Sequence, residues 1–434
     1  MKKSITHKTY LGMMIPFMLS TVTQPLLGAA DIAVTGHLGN EKYIAGISIG
    51  TLIFNTIYWI FGFLRVSTTG FSAQSLVEKE KKKVSVIFFR PLFIALVISV
   101  FFIAIQKYIF QSSMGFISPE KAVIEAAGRY YYILIWGAPF VLVNYVLLGW
   151  LMGQGNIKGS LIMQITGNLL NILLDILMVL VLHYEIEGVA YATLISQITS
   201  TLIGIYFIIP YGYIKFLDIK AIFDKKEFIK IMNVNKDLML RTFCLLVHNN
   251  LFTAASSALG STVLAANAVL FQILSVISYL FDGIANTSSV FAGRASGEKN
   301  IALMKDVWKK TFQWGLVMVV ILTLIYLFSY RNLLGIFTNL SEVLILAEKY
   351  SLWVAVYPII AFIGLVFYGV FTGSAVTAPI LYSTAGALVG FLVVWKFGIP
   401  VLANNGVWLS LIIFYLLRSV LLLPFLRSIT KKWE

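Results

Sequence analysis

Residues Met13–Gly39 read MMIPFMLSTVTQPLLGAADIAVTGHLG, an apolar stretch that is long enough to cross a lipid bilayer. It nevertheless carries a carboxylate, Asp31, in its second half, and two prolines, Pro16 and Pro25, interrupt it. A charge at the centre of a spanning helix costs roughly 2.5–3.5 kcal/mol on insertion scales. Gln24 lies seven residues before Asp31 and therefore on the same helical face. We predict that Asp31 faces a protein cavity and has a function there.

The composition of the 434-residue chain is that of a membrane protein. Hydrophobic residues make up 59% of it and charged residues 12%, whereas soluble chains have about 25% charge. The apolar residues fall in runs of roughly the 20 residues that a spanning helix needs, without the alternating pattern of a membrane barrel. The first run is too long for a signal peptide. The single cysteine, Cys244, excludes an internal disulfide framework and a cysteine metal site.

The hydrophobic runs predict an all-α polytopic membrane protein with twelve transmembrane helices. The predicted spans are 10–36, 44–73, 85–107, 124–153, 160–182, 187–210, 230–258, 263–293, 309–330, 344–373, 379–400 and 405–427. Most of the 33 Lys and Arg residues then fall on the side that holds both chain termini. The positive-inside rule makes that side the cytoplasm, so we expect a multi-pass protein of the cell membrane with cytoplasmic termini. Basic loops account for the net charge of +14, and nucleic acid is not an expected partner.

An internal repeat divides the chain into halves. A shift of about 220 residues overlays Gly149 on Gly369 and Gly153 on Gly373, with other matches in the same order along the chain. We therefore predict an amino-terminal six-helix lobe, a cytoplasmic linker and a carboxy-terminal six-helix lobe, at residues 1–210, 211–229 and 230–434. Six spans in each half imply a pseudo-twofold axis along the membrane normal, with substrate bound between two pseudo-symmetric bundles.

Polar residues recur along the fifth predicted span, which contains GNLLNILLDILMVL. Asn168, Asn171 and Asp175 are spaced by three and four residues, so they form one stripe on an apolar helix. Thr193 on the sixth span is expected to complete this cluster. Desolvation raises the pKa of a buried carboxyl, so such a group can exchange a proton near neutral pH. The same oxygens also suit Na⁺. Neither Asp175 nor Asp31 has an acidic counterpart in the second half.

Structural roles compete with these functional ones. An intramembrane aspartate often pairs with an arginine or an amide, and Arg65 and Arg241 are available partners. We interpret both arginines as packing residues, while Arg418 also lies within a span. Asp282 is expected near the cavity mouth or in a structural pair. His248 lies within a span, where a lone histidine is usually satisfied by a neighbour.

Several segments together resemble one protein family. GAADIAVTGHLG resembles the first-span signature of the multidrug and toxic compound extrusion (MATE) family. The segments FGFLRVSTTGFSAQ, KDLMLRTF and YLFDGIANTSSVFAGRASG are similar to its DinF branch. The resemblance covers nearly the whole chain. It implies two six-helix lobes and secondary active efflux, in which substrate leaves against an inward flow of H⁺ or Na⁺.

The resemblance also implies roles for single residues. Asp31 matches the first-span acidic residue, a protonation site and substrate contact, and Gln24 matches its polar neighbour. Asn171, Asp175 and Thr193 match the amino-lobe coupling cluster.

Further matches concern the hinge and the substrate cavity. Pro16 and Pro25 lie in the helix whose bending is proposed to accompany coupling, and Asn144 is the candidate for a fourth-span asparagine. The cavity is expected to be lined by Asp31, Asn168, Asn144 and Asp282. The carboxy-lobe acidic pair of other branches is not evident, which favours H⁺ over Na⁺.

These observations predict a monomeric multidrug antiporter that works by alternating access in the bilayer, without a cofactor. It would export amphiphilic or cationic small molecules in exchange for H⁺, or less favourably for Na⁺ bound between Asp31 and Asp175. One alternative is a lipid-linked precursor flippase of the same superfamily, although such proteins generally have a more basic cavity. An intramembrane enzyme is the alternative from another class, but the chain lacks H-E-x-x-H and G-x-S-x-G motifs.

Overall fold

The computed structural model describes residues 5–35, 41–78, 80–117, 120–216, 218–338, 340–431 and 433, with side chains included except at 24–35, 41, 214, 219 and 226. All its regular secondary structure is helical. The first ten α-helices are α1 His7–Thr35, α2 Glu41–Phe61, α3 Phe63–Ser75, α4 Lys81–Ala104, α5 Gln106–Ile117, α6 Lys121–Leu134, α7 Ala138–Gly153, α8 Ile157–Asp175, α9 Ile186–Ile208 and α10 Ile219–Ile222. The remaining seven are α11 Lys225–Ala258, α12 Ser261–Gly297, α13 Ile301–Phe337, α14 Ser341–Gly373, α15 Ala378–Leu402, α16 Asn404–Leu422 and α17 Leu426–Thr430.

Ten helical segments of the described chain are long and apolar enough to cross a membrane. They are Lys42–Ser75, Lys81–Ala104, Lys121–Gly153, Ile157–Val181, Ile186–Tyr211, Ser261–Gly297, Ile301–Phe337, Ser341–Gly373, Ala378–Leu402 and Asn404–Thr430. They coincide with ten of the twelve predicted spans. Helices α1 and α11 occupy the positions of the first and seventh, so the count of twelve stays a prediction. The all-α polytopic class is confirmed.

Several helices extend beyond the apolar runs that predicted them. α12 and α13 each have 37 residues, and α5 is a separate helix that the sequence reading did not anticipate. The part of α13 before the predicted span begins IALMK, and Ala, Leu, Met and Lys are good helix formers, so the helix starts earlier than the predicted span. Hydropathy therefore locates the membrane-crossing part of a helix better than its ends.

Internal contacts group the described residues into two compact units. The amino-terminal unit is residues 22–231, and the carboxy-terminal unit is 232–433 together with 5–21. Helix α1 contributes residues to both. The predicted lobe limits at 210 and 230 stay a prediction.

Close packing in the amino-terminal unit depends on two glycines of α7. A Cβ added at Gly149 would collide with the backbone carbonyl oxygen of Arg65, and one at Gly153 would meet the carbonyl oxygen of Thr69 and the side chain of Ser72. The hydroxyl of Ser72 also donates a hydrogen bond across to the carbonyl of Trp150, at 2.9 Å. The four-residue glycine spacing thus lets the α7 and α3 backbones approach closely.

The carboxy-terminal unit repeats this arrangement between α14 and α12. A Cβ added at Gly369 would collide with the carbonyl oxygen of Ala285, and one at Gly373 with that of Ser289. These carbonyls stand at the same offset of about 220 residues from Arg65 and Thr69 that relates the glycines themselves. The repeat therefore extends from residue identities to the helix contacts that those residues make.

We predict that the substitutions Gly369→Ala and Gly149→Ala both lower the thermal midpoint of the detergent-solubilised protein. Overpacking a tight helix contact costs about 1–3 kcal/mol. Gly335→Ala is the matched control, because no heavy atom lies within 4 Å of its added Cβ. The control should gain roughly 0.5–1 kcal/mol from helix propensity. Equal midpoints for all three variants would contradict the packing role.

The segment predicted as a cytoplasmic linker, 211–229, is docked onto α4. Arg90, which is buried, donates from Nε to the carbonyl of Ile222 at 2.9 Å and from Nη2 to that of Ala221 at 2.8 Å. Those carbonyls are at the end of α10, where a helix lacks its own donors and attracts a cation. Ser85 donates to the carbonyl of Tyr213 at 2.8 Å.

An ion pair adds to this docking. Lys82 Nζ lies 2.8 Å from Asp218 Oδ2. The hydrogen bond from Lys82, and then that from the Ala221 amide, lower the pKa of the Asp218 carboxyl below its ordinary value of 3.8. A depressed pKa in the folded state means that this contribution is present at neutral pH and is lost only as pH falls through that value.

We predict that Arg90→Met makes the linker more susceptible to trypsin, which cleaves after lysines such as Lys215 and Lys220. Hydrogen bonds to charged groups contribute about 1.5–3 kcal/mol, so their loss should raise the opened population roughly tenfold or more. Cleavage tracks that population when reclosing is fast. Mass spectrometry of a limited digest measures it. Arg331→Met, at an exposed arginine of α13, is the control. Unchanged cleavage in Arg90→Met would show that the linker is held by other contacts.

Candidate functional site

The polar stripe of the fifth span lies on α8 and ends at a buried carboxylate. Asp175 is 1% exposed and Asn171 is 4% exposed. The Asn171 side-chain amide donates from Nδ2 to Asp175 Oδ2 at 3.0 Å. The predicted pairing of these two residues on one helix face is therefore present in the structure.

The α-helix becomes a π-helix directly after Asp175. Residues Ile176–Val181 form a π-helical segment, in which the amide of Leu182 donates to the carbonyl of Leu177, five residues back. Such segments are rare and are often found at functional sites. The regular α-helical hydrogen bonding of α8 thus ends directly after the carboxylate.

Asn168, at the other end of the stripe, contacts α1. Its Nδ2 donates to Thr23 Oγ1 at 2.9 Å, and both residues belong to the amino-terminal unit. The adjacent Gly167 allows α9 to approach α8, because a Cβ there would collide with Ser200 Oγ. Helix α8 is thus held between α1 and α9 by contacts on either side of the stripe.

Three predicted site residues lie on the part of α1 whose side chains are outside the description. Gln24, Pro25 and Asp31 are within the helix His7–Thr35, but the predicted role of Asp31 beside the α8 stripe stays a prediction. The hinge role of Pro16 and Pro25 likewise stays a prediction. Both residues lie within the helix His7–Thr35, where proline removes a backbone donor and weakens the local helix.

The side chain of Asn144 forms three hydrogen bonds with residues of α9. Its Nδ2 donates to the side-chain and backbone oxygens of Gln197, at 2.9 and 3.1 Å, and its Oδ1 accepts from Thr201 Oγ1 at 2.9 Å. Gln197 and Thr201 were not among the predicted site residues, although their four-residue spacing places them on one face of the sixth span. Asn144 therefore joins α7 to α9, and its predicted place in the cavity lining stays a prediction.

Thr193 and Asp282 complete the predicted set. The Thr193 hydroxyl donates to the carbonyl of Val189 on its own helix, at 3.0 Å. Asp282 is half-buried on α12, in the carboxy-terminal unit. Their predicted coupling and cavity roles stay untested. Among the residues with described side chains, no group of three His, Cys, Asp or Glu could hold a metal ion.

The fold and its buried polar stripe define a helical membrane transporter, and comparison with known proteins specifies the family. The MatE family model matches residues 16–177 and 238–395. The chain therefore belongs to the MatE family, whose members are transporters and not enzymes.

Individual relatives agree with this assignment. The chain is 30% identical over 422 residues to DNA damage-inducible protein F of Escherichia coli K12, covering 96% of this chain and 91% of that protein. It is 21% identical to a probable multidrug resistance protein NorM of Photorhabdus laumondii, covering 97% and 95% of the two chains. A solved outward-facing multidrug resistance MATE transporter has the same fold, with a TM-score of 0.84 at 18% identity over 98% and 96%. The resemblance to the DinF branch is thereby confirmed.

We predict that Asn171 and Asp175 are energetically coupled. In a double-mutant cycle with Asn171→Ala and Asp175→Ala, the interaction energy should be about 0.5–3 kcal/mol, as for a contacting polar pair. Unfolding by a denaturing detergent measures it. Asn168→Ala is the matched control, because its amide binds Thr23 instead. That control should add to Asp175→Ala within about 0.5 kcal/mol. Additivity in both cycles would mean that the Asn171 bond contributes little to stability.

Proposed function

We propose that this chain is a multidrug efflux antiporter that exports amphiphilic or cationic small molecules in exchange for H⁺. The observation that supports this best is the carboxylate of Asp175, buried in a spanning helix, bonded to an amide and followed by a π-helical segment. A charged side chain is costly to bury in the hydrocarbon region, so its presence there indicates a functional site. Relatives named as multidrug resistance proteins support the substrate class.

The cycle begins with the protein open to the outside. A proton binds at Asp31 or Asp175 and removes the negative charge. The oxygen that accepts from Asn171 then becomes a weaker acceptor, so α8 and the proline-containing α1 repack and release substrate. The lobes rock to face the cytoplasm, where a new cationic substrate displaces the proton. Substrate and proton therefore compete for one negative charge.

The choice of H⁺ over Na⁺ rests on the family resemblance. The carboxy-lobe acidic pair that other branches use for cation coupling is not evident in this sequence. We also propose a monomer in the cell membrane with both termini in the cytoplasm, as the distribution of Lys and Arg indicates.

We predict that Asp175→Asn and Asp31→Asn abolish drug-driven proton release in proteoliposomes that contain the full chain. The substitution keeps side-chain size but removes the titratable group. Efflux of a cationic dye such as ethidium and internal pH are followed together. Asp224→Asn is the matched control, because Asp224 lies in the loop before α11 and only caps that helix, which asparagine also does. Undiminished exchange in Asp175→Asn would remove that residue from coupling.

The driving ion is decided in the same vesicles. Nigericin with balanced K⁺ collapses the pH gradient while an imposed Na⁺ gradient remains. Proton coupling predicts that uphill dye transport stops. Continued transport under this condition would establish Na⁺ as the coupling ion and overturn the proton assignment. Absence of uphill transport under any gradient would overturn the antiporter itself.

A further inference from the structure

Two arginines lie inside the carboxy-terminal unit without counter-charges. Arg418, on α16, is 3% exposed, and Arg241, on α11, is half-buried with its Nε fully enclosed. Among the described residues, neither arginine forms an ion pair or donates a hydrogen bond. Both arginines are on the side of their helices that packs against α14, because Arg241 lies over the Tyr368 ring and the backbone of Arg418 packs against Gly364, one helical turn before Tyr368. Arginine normally satisfies its five donors when it is buried, so both groups lack the partners that their chemistry requires.

Tyrosine rings lie near the two arginines, but they do not supply the missing negative charge. The Arg241 guanidinium lies 4.4 Å from the centre of the Tyr368 ring. Tyr415, three residues before Arg418 on α16, meets Tyr357 edge to face at 4.8 Å, and the Tyr357 hydroxyl is hydrogen-bonded to Ser278 at 2.6 Å. An aromatic face attracts a cation but carries no net charge. The excess of two positive charges therefore remains.

A buried histidine is a third unsatisfied group at this place. His248 follows Arg241 by seven residues and so shares its helix face. Its ring is fully buried and stacks on Phe414 at 4.0 Å, one helical turn before Arg418. Nδ1 is bonded to Asn249 at 3.0 Å, whereas Nε2 is buried without a partner among the described residues. The histidine thus lies where α11 packs against α16, the two helices that carry the arginines.

The backbone that carries Arg418 is held firmly against α14. The amide of Gly364 donates to Ser419 Oγ at 3.0 Å, and that hydroxyl donates to the carbonyl of Ile360 at 2.8 Å. Because Ser419 follows Arg418 directly, these bonds also fix the backbone of Arg418. A preorganised guanidinium loses little freedom when it binds a ligand.

We propose that Arg241 and Arg418 form an anion-binding site within the carboxy-terminal unit, which accepts one carboxylate or phosphate group. Guanidinium groups match the geometry of both anions and bind them bidentately. An anionic oxygen group supplies the missing negative charge and the missing acceptors at once. The site goes beyond the proposed export of cationic amphiphiles, because it recognises the anionic end of a zwitterionic molecule.

Binding of a matched dye pair tests the site in the full chain, solubilised in dodecyl maltoside. Rhodamine 110 has a free carboxylate, and rhodamine 123 is its methyl ester. In Arg418→Gln, rhodamine 110 affinity, measured by fluorescence anisotropy, should fall roughly tenfold, the effect of losing a charge-assisted hydrogen bond. Rhodamine 123 affinity should stay within about twofold. Arg331→Gln, at an arginine that is exposed and pairs with Glu348, should change neither.

Thermal unfolding distinguishes an anion site from arginines that only pack. At constant ionic strength, inorganic phosphate should raise the midpoint of the wild-type protein in a saturable way. Arg241→Gln should raise the phosphate-free midpoint, because it removes a positive charge that has no counter-charge, and should lose the phosphate response. A purely structural arginine predicts the reverse, a lower midpoint and no response in the wild type. Arg241→Gln also serves as the test if Arg418→Gln does not fold.

Micelles doped with phosphatidylglycerol or phosphatidylcholine identify the source of the anion. Displacement of rhodamine 110 by phosphatidylglycerol alone would identify a lipid headgroup, and failure of both lipids to displace it would identify the transported molecule. Either outcome supports the site. If carboxylate, phosphate and phosphatidylglycerol all bind the wild type and the Arg variants equally, the proposal is overturned. No ion gradient is involved, so that failure is distinct from a failure of proton coupling.

Discussion

Hydrocarbon offers no water to a polar group, and this constraint governs the rest of the molecule. Backbone groups meet it by forming helices, so every regular element of the described chain is helical. Side chains must find partners within the protein, as Asn171 and Asp175 do on α8. Protonation of a buried carboxylate such as Asp175 removes its charge and weakens it as an acceptor. The cost of burial therefore becomes the basis of the proposed coupling.

Helix association in a membrane cannot rely on expulsion of water, so close backbone contact matters more. The two glycine pairs, Gly149 with Gly153 and Gly369 with Gly373, provide that contact in the two units. Each pair faces carbonyl oxygens at equivalent positions of the other helix. The same close helix contact occurs in both units, so both halves have glycines at these positions, while their polar residues differ. The packing scaffold is shared, and the chemistry is specific to each unit.

Charge is distributed unequally between the units. The amino-terminal unit buries the carboxylate of Asp175 and the guanidinium of Arg90, whereas the carboxy-terminal unit buries Arg418 and His248 and holds Arg241 half-buried. The proposals assign the negative charge of one unit to the proton and a cationic substrate, and the positive charge of the other unit to an anionic group. The packing role predicted for Arg241 stays a prediction, and the proposed anion site is the competing explanation.

The sequence alone determined the helices, the family and the α8 stripe, because apolar runs and spacings of three or four residues are local properties. It could not show that Asn144 binds Gln197 and Thr201, that Arg90 holds the linker, or that Arg418 and Arg241 both lie on the side of their helices that packs against α14. Those contacts depend on how each helix is rotated about its axis, which its neighbours decide. The stretch Met13–Gly39 illustrates the difference, because its length and its two prolines can be read directly from the sequence. The partners of a residue such as Asn168 become known only when α1 and α8 are packed.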